Sequence, residues 1–143
     1  VKAVGVSNFT AAQVRALAAY LPFPLASIQP EFSAWHAAPL WDGVLDQAME
    51  LGLSVLAWSP LGRGAVSEEG PVSALLEDKA RASGVSRSAA AYAWIMAHPA
   101  GAIPIVGSQQ PARIREAEGA FAVNWTRAEW YAVLQASTGQ KLP

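Results

Sequence analysis

Short apolar or β-branched runs alternate along the chain with longer segments whose apolar residues recur at helical spacing, the pattern of βα units on a parallel sheet. Four such units are readable. The first pairs a strand near residues 3–6 with a helix announced by Thr10 and Gln13, a capping-box spacing, after which Val14, Leu17 and Ala18 share one face. The second has a strand near residues 26–29, then Pro30, the aromatic stretch 32–35 and a helix predicted over about residues 39–51 that Gly52 ends. In the third, a strand over residues 54–58 leads into a turn rich in glycine and a long connection through Glu68, Glu69, Gly70 and Pro71, which is expected to be functional or mobile. Two helices follow, about 72–83 and 87–98, with Gly84 and Ser86 between them and Pro99 after the second. The fourth strand, near residues 102–105, precedes Gly107 and Ser108, a helix from about Pro111, and a last helix capped by Thr126 and Glu129.

The runs Val55-Leu56-Ala57-Trp58 and Ala102-Ile103-Pro104-Ile105 are apolar on nearly every residue. Strands of that kind are expected to be covered on both faces, with helices outside and a packed interior within. Four parallel strands with right-handed crossovers make either a small open sheet or half of an eight-stranded barrel. Polar residues fall at the C-terminal strand ends, namely Ser7 and Asn8, Gln29, Ser59, and Gly107 with Ser108. That is the rim where α/β folds place ligands.

Composition narrows the partners. The 143 residues are 52% hydrophobic and 15% charged, with a formal net charge of −1. There is no basic field to suit nucleic acid or an anionic membrane, so a small molecule is the expected ligand. Cysteine is absent and only His36 and His98 offer imidazole, which argues against disulfides, thiolate chemistry and a protein-built zinc site. No stretch approaches the roughly 20 apolar residues of a membrane span, and no signal-type segment opens the chain, so the cytoplasm is the expected compartment. The chain starts on Val1 and enters a strand at once. A preceding segment is therefore expected, and residues 1–143 are read as one incomplete domain.

The rim residues suggest specific chemistry. Asn8 and Gln29 each offer an amide donor and acceptor, a match to a neutral carboxamide, although Ser7 and Asn8 also suit an ordinary strand-to-helix turn. Trp58 can stack a flat ring or serve as a core tryptophan. Backbone N–H groups in the turn Ser59-Pro60-Leu61-Gly62-Arg63-Gly64 can cradle phosphate oxygens beside the Arg63 charge, a weak signal when taken alone. Gly107 and Ser108, ahead of a helix containing Arg113, suggest a second anion site. Arg115 reads as a solvated helix charge.

Taken together, Gly5-Val6-Ser7-Asn8-Phe9, Gln29-Pro30-Glu31, Ala57-Trp58-Ser59-Pro60-Leu61-Gly62-Arg63-Gly64 and Ile103-Pro104-Ile105-Val106-Gly107-Ser108 with Arg113-Ile114-Arg115-Glu116 resemble the aldo-keto reductases in order and spacing. The resemblance covers essentially the whole chain, begins at the family's fifth barrel strand and is closest to its bacterial oxidoreductase branch. It implies the C-terminal half of a (β/α)8 barrel, with four parallel βα units plus C-terminal helices, that binds NADP(H) and serves the reduction of aldehydes or ketones. Ser7, Asn8 and Gln29 would hold the nicotinamide carboxamide, Trp58 would stack on its ring, and Ser59, Leu61, Gly62 and Arg63 would line the pyrophosphate. Gly107, Ser108, Gln109, Arg113 and Glu116 would surround the adenosine end. Gly107 stands where many members have a lysine, and Ala117 where many have an asparagine, so NAD(H) stays an alternative cofactor.

The family's catalytic tyrosine, lysine, aspartate and histidine come from the first half of its barrel. A search of the residues agrees: Tyr20, Tyr92, Tyr131, Asp42, Asp46 and Asp78 fall in predicted helices, Lys79 is helical, Lys2 precedes a strand and Lys141 lies in the tail. No catalytic residue is assigned to this chain. The expected partners are a carbonyl or alcohol substrate and a missing N-terminal half. The reading is thus of the incomplete part of a reductase. A non-catalytic nucleotide-binding or accessory module is its alternative, and an open flavodoxin-like sheet is a third.

Overall fold

Capping and glycine stops decide where the elements begin and end. In the computed structural model, which describes residues 1–141, β1 (Gly5–Ser7) is followed by α1 (Ala11–Ala18), β2 (Ser27–Gln29), α2 (Val44–Leu51) and β3 (Ser54–Ala57). After them come α3 (Pro71–Ser83), α4 (Arg87–Met96), β4 (Ile103–Pro104), α5 (Pro111–Glu116) and α6 (Arg127–Thr138). Thr10 and Gln13 form the reciprocal capping box that their spacing spells, with Thr10 N–H to Gln13 Oε1 at 2.8 Å and Gln13 N–H to Thr10 Oγ1 at 3.2 Å. Thr126 and Glu129 repeat it at α6.

The helix predicted over 39–51 is two pieces. A 3-10 turn spans Ala38–Leu40, and α2 starts only at Val44. Between them the Asp42 carboxylate accepts from the Val44 N–H at 2.9 Å and Gly43 takes φ 82°, a local turn that competes with helix. The helix after Pro111 likewise gives way to a 3-10 stretch, Ala117–Ala122.

All strand pairings are parallel and the order is β1-β2-β3-β4. A flavodoxin-like sheet needs the order to reverse at a switch point. This order does not reverse. Ladder register puts Val6, Ile28, Val55 and Ala57 on one face and Gly5, Ser7, Ser27, Gln29, Ser54, Leu56 and Ile103 on the other. The first set meets the helices, with Ile28, Val55 and Ala57 fully buried, whereas every member of the second is half-buried or exposed. The helices supply the outer cover expected of these strands, and the uncovered face is the one that a closed eight-stranded barrel would turn inward. Serine and glycine supply most of the uncovered face, and the apolar runs of β3 and β4 put Leu56 and Ile103 there.

On the covered face Val14, Leu45, Leu76, Trp94 and Val133 form one core. Trp94 and Trp130 stack with centroids 4.8 Å apart and exchange bonds, each indole N–H donating to the other residue's carbonyl at 3.1 and 2.9 Å. This ties α6 to α4. On the other side of α6, Lys79 of α3 donates to Glu129 at 2.8 Å, and its ammonium lies 5.3 Å from the Trp125 ring.

Among the described residues, β1 and β4 each keep an unpaired edge beside the uncovered face. Such edges recruit other chains. The chain by itself is expected to associate and to bind apolar dyes, as read by light scattering and dye fluorescence. A monodisperse monomer with cooperative unfolding and no dye binding would contradict this. A second expectation concerns pH. The Lys79 ammonium, and then the Thr126 hydroxyl and N–H, push the Glu129 carboxyl down to about 2. Because the folded value lies below the ordinary 4.5, this stabilisation is present above pH 4.5 and lost as pH falls through about 2. Urea midpoints should fall across that window in the wild type and less steeply in Lys79→Met. Parallel slopes would contradict the assignment.

Candidate cofactor site

Among the described residues, three other than glycine adopt positive φ, Asn8 at 57° and Ser59 at 48° just beyond strand ends and Arg63 at 55° in the turn that follows β3. Such backbone costs about 1 kcal/mol or more per residue and persists only where surrounding contacts enforce it. For Asn8 those contacts are clear. Its N–H donates to the Gln29 carbonyl at 3.0 Å, and its Oδ1 accepts from the Trp58 indole N–H at 2.8 Å. The Ser7 hydroxyl donates to the same Gln29 carbonyl at 3.0 Å. Ser7, Asn8, Gln29 and Trp58 thus meet at one rim, as their positions after β1, β2 and β3 suggest.

Arg63 joins them from the turn. Its Nε and terminal nitrogen grip the Glu31 carboxylate at 2.8 and 2.7 Å, and its guanidinium carbon sits 5.1 Å from the centroid of the Trp58 ring. The Arg63 hydrogen bond holds the Glu31 carboxyl below its ordinary range, so it is charged at neutral pH. A cleft of about 500 Å³ opens here, lined among others by Asn8, Trp58, Glu31, Arg63, His36 and Asp42. Gly62 (φ 62°) closes the turn against Trp35, where a Cβ would lie 2.9 Å from the ring. Only glycine fits that place without a shift. Ser59 accepts the Gly62 N–H on its carbonyl at 2.9 Å, and Leu61 packs on the core.

The residues after β4 stand apart. Gly107 and Gln109 are exposed, Ser108 turns its hydroxyl to the Gln110 N–H at 3.1 Å ahead of α5, and Arg113 and Glu116 are exposed on α5. None of the five lines the rim cleft. The aromatic loop divides: Phe32 is fully buried against Trp94, with ring centroids 5.8 Å apart, Trp35 packs under Gly62, and His36 lines the cleft. Asp42 and Tyr20, expected in helices, lie in turns. Glu31 went unrecognised as a site residue. Its signal was a lone carboxylate between Gln29 and the aromatic stretch, opposite in sign to Arg63. Among the described residues no group of three or more His, Cys, Asp or Glu could hold a metal ion, and no helix is long and apolar enough to cross a membrane.

Residues 1–137 match the model of the aldo/keto reductase family. The chain belongs to this family. It is 51% identical over 148 residues to a 6-dehydroglucose reductase of Novosphingobium aromaticivorans, a match covering 100% of this chain and 49% of that protein. It is 36% identical to the oxidoreductase YdhF of Escherichia coli, again over 100% of this chain and 49% of its relative. A thermostable aldo-keto reductase solved with the inhibitor epalrestat superimposes with a TM-score of 0.82 at 26% identity, covering 94% of this chain and 48% of that one. The chain spans about half the length of the relatives it matches, and its four βα units are the C-terminal half of a (β/α)8 barrel.

The contacts of this aldo/keto reductase chain generate a stability test. Asn8→Ala removes both the indole acceptor and the side chain that tolerates positive φ, and should cost about 1–2 kcal/mol. Asn8→Gly restores the backbone freedom alone and should cost less in the same urea titration. Equal losses would contradict the role given to the backbone.

Proposed function

We propose that this chain is the cofactor-holding half of a cytoplasmic reductase that uses NADP(H) to reduce an aldehyde or ketone. The observation that carries the reading is the 2.8 Å bond from Trp58 to Asn8, which sets a flat indole beside an amide at the rim. The polar groups there suit a carboxamide. Ser7 spends its proton on the Gln29 carbonyl and keeps its lone pairs, while Asn8 spends its oxygen on Trp58 and keeps its NH2 group. One acceptor and one donor remain, which is what a neutral carboxamide needs. A bound nicotinamide supplies the hydride.

The chain's own residues orient and enclose. Ser7, Asn8 and Gln29 take the carboxamide, Trp58 supports the ring, and Ser59, Leu61, Gly62 and Arg63 border the pyrophosphate. Gly107, Ser108, Gln109, Arg113 and Glu116 are assigned to the adenosine end, with Ser108 and Arg113 nearest any 2′-phosphate. Gly107 offers no charge there, which keeps NAD(H) as the alternative. The acid that protonates the carbonyl oxygen is assigned to the N-terminal half of the barrel, which is the proposed partner of the uncovered face. Tyr92 and Tyr131 lie in α4 and α6, and Tyr20 follows α1, so none stands at a strand end. The same placement favours a second reading, a nucleotide-binding module without catalysis. The 51% identity to a 6-dehydroglucose reductase makes a sugar-derived aldehyde the substrate class we infer.

The test has two arms. The chain alone, given NADPH and a panel of aldehydes including 6-dehydroglucose, should oxidise none, because cofactor orientation without a proton donor leaves the alkoxide unstabilised. Turnover that scales with protein and disappears in Trp58→Ala would overturn this. In the complete barrel NADPH should bind more tightly than NADH by about 1–3 kcal/mol, the worth of a charged contact, and Arg113→Ala should erase the difference. Tighter NADH binding, or an unchanged ratio in the variant, would contradict the adenosine-end assignment.

A further inference from the structure

Trp58 is fastened at its edge by Asn8 and covered on one face by a guanidinium. The indole N–H donates to Asn8 Oδ1 at 2.8 Å, and the Arg63 guanidinium carbon lies 5.1 Å from the ring centroid. Among the described residues Arg63 is the one cation recorded over this ring, and Trp58 itself stays half-buried. Arg63 is in turn held by the bidentate grip of Glu31, whose side chain is 17% exposed against 65% for Arg63. The order of anchoring therefore runs from the more enclosed carboxylate, through the exposed guanidinium, to the indole. The 3.3 Å bond from Phe32 N–H to the Trp58 carbonyl and the 3.0 Å bond from Trp58 N–H to the Pro30 carbonyl flank Glu31, so its backbone is set by the same ladder that sets Trp58.

This arrangement has an electrostatic consequence for anything laid on the remaining face of the indole. A cation on one face of a tryptophan attracts the ring's negative quadrupole and repels a second cation on the other face. The oxidised nicotinamide ring carries a positive charge, and the reduced ring is neutral. Arg63 alone would thus disfavour the oxidised form, and the paired carboxylate of Glu31 cancels most of that bias at the cleft. We propose that Glu31 is a positioning residue that, through Arg63, sets the relative affinity of the site for oxidised and reduced nicotinamide cofactor. The proposal rests on the reading of Trp58 as the platform for the nicotinamide ring.

The ratio of two affinities isolates this effect. NADP+ and NADPH share the adenosine, the pyrophosphate and the ribose phosphates, so attraction between a freed Arg63 and those anions cancels in the ratio. Binding of NADP+ and of NADPH to the complete barrel would be measured by isothermal titration in the wild type, Glu31→Gln, Arg63→Ala, the double variant and Trp58→Ala. Glu31→Gln should raise the ratio of the NADP+ Kd to the NADPH Kd by about three- to tenfold, the scale of one charge exposed on a partly solvated face, and less at high salt. In the Arg63→Ala background the same substitution should leave the ratio unchanged. A wild-type ratio in Glu31→Gln, or an equal shift without Arg63, would overturn the proposal while leaving the cofactor site in place. Failure of the wild type to bind either cofactor, or equal binding by Trp58→Ala, would overturn the platform reading and the proposal with it. Arg63→Lys, which keeps the charge but loses the bidentate geometry, should fall between wild type and Glu31→Gln. A ratio in Arg63→Lys outside those two limits would also count against the proposal.

Discussion

Beyond the last residue of β2 the ladder continues: Trp58 donates to the Pro30 carbonyl at 3.0 Å and Phe32 returns a bond to the Trp58 carbonyl at 3.3 Å, with Glu31 bridged to Trp58 between them. Proline can accept but not donate, so the bond at Pro30 runs in the only direction open to it. This short extension of parallel pairing is what the rim depends on. It brings Trp58 level with Glu31, places the turn that follows within reach of the Glu31 carboxylate, and turns the indole edge toward Asn8. On the other side of β2, the Gln29 carbonyl takes both the Asn8 N–H and the Ser7 hydroxyl, so the same strand end organises both neighbours.

The helical layer answers a different constraint. A sheet with one uncovered face must gain its stability from the other, and here the covered face is sealed by alanines of α4 and by large aromatics between α4 and α6. Ala89, Ala90 and Ala91 are fully buried, which lets the elements approach closely around Trp94. Trp94 and Trp130 each satisfy their indole N–H on the other's backbone. Burying Trp94 and half-burying Trp130 therefore leaves neither indole N–H unpaired, and their stacking orients α6. Phe32 belongs to this system through its contact with Trp94. The β2–α2 loop is thereby anchored to the helical layer at one residue and contributes to the rim at its neighbours.

Much of the architecture was legible in the chain. Thr10 with Gln13, Thr126 with Glu129, Ser86 before α4, and Gly52 and Gly84 as stops act within a few residues of themselves, so their meaning does not depend on what packs nearby. The four βα units and the gathering of Ser7, Asn8, Gln29 and Trp58 at one rim follow from the same local reading plus the rule that parallel strands present one common end. The division of 39–51 into a 3-10 turn and α2 was also local, since Asp42-Gly43 spells a turn. It went unrecognised because the surrounding apolar spacing is compatible with one continuous helix.

Other features are not properties of any segment. Phe32 and His36 lie in one loop, and only the position of Trp94, some sixty residues away in sequence, sends Phe32 into the core while His36 lines the cleft. Glu31 and Arg63 are unremarkable until β2 and β3 pair, and the placement of the guanidinium over Trp58 needs a left-handed backbone at Arg63 that composition does not announce. The apolar content of β3 and β4 suggested cover on both faces, but which residues face outward is a matter of register between strands. The sequence by itself determined where the elements start and stop, because capping, glycine conformation and helical period are short-range. Tertiary structure alone decided which face is covered, which aromatic is core and which charge meets which ring, because each of those depends on the relative placement of residues distant along the chain.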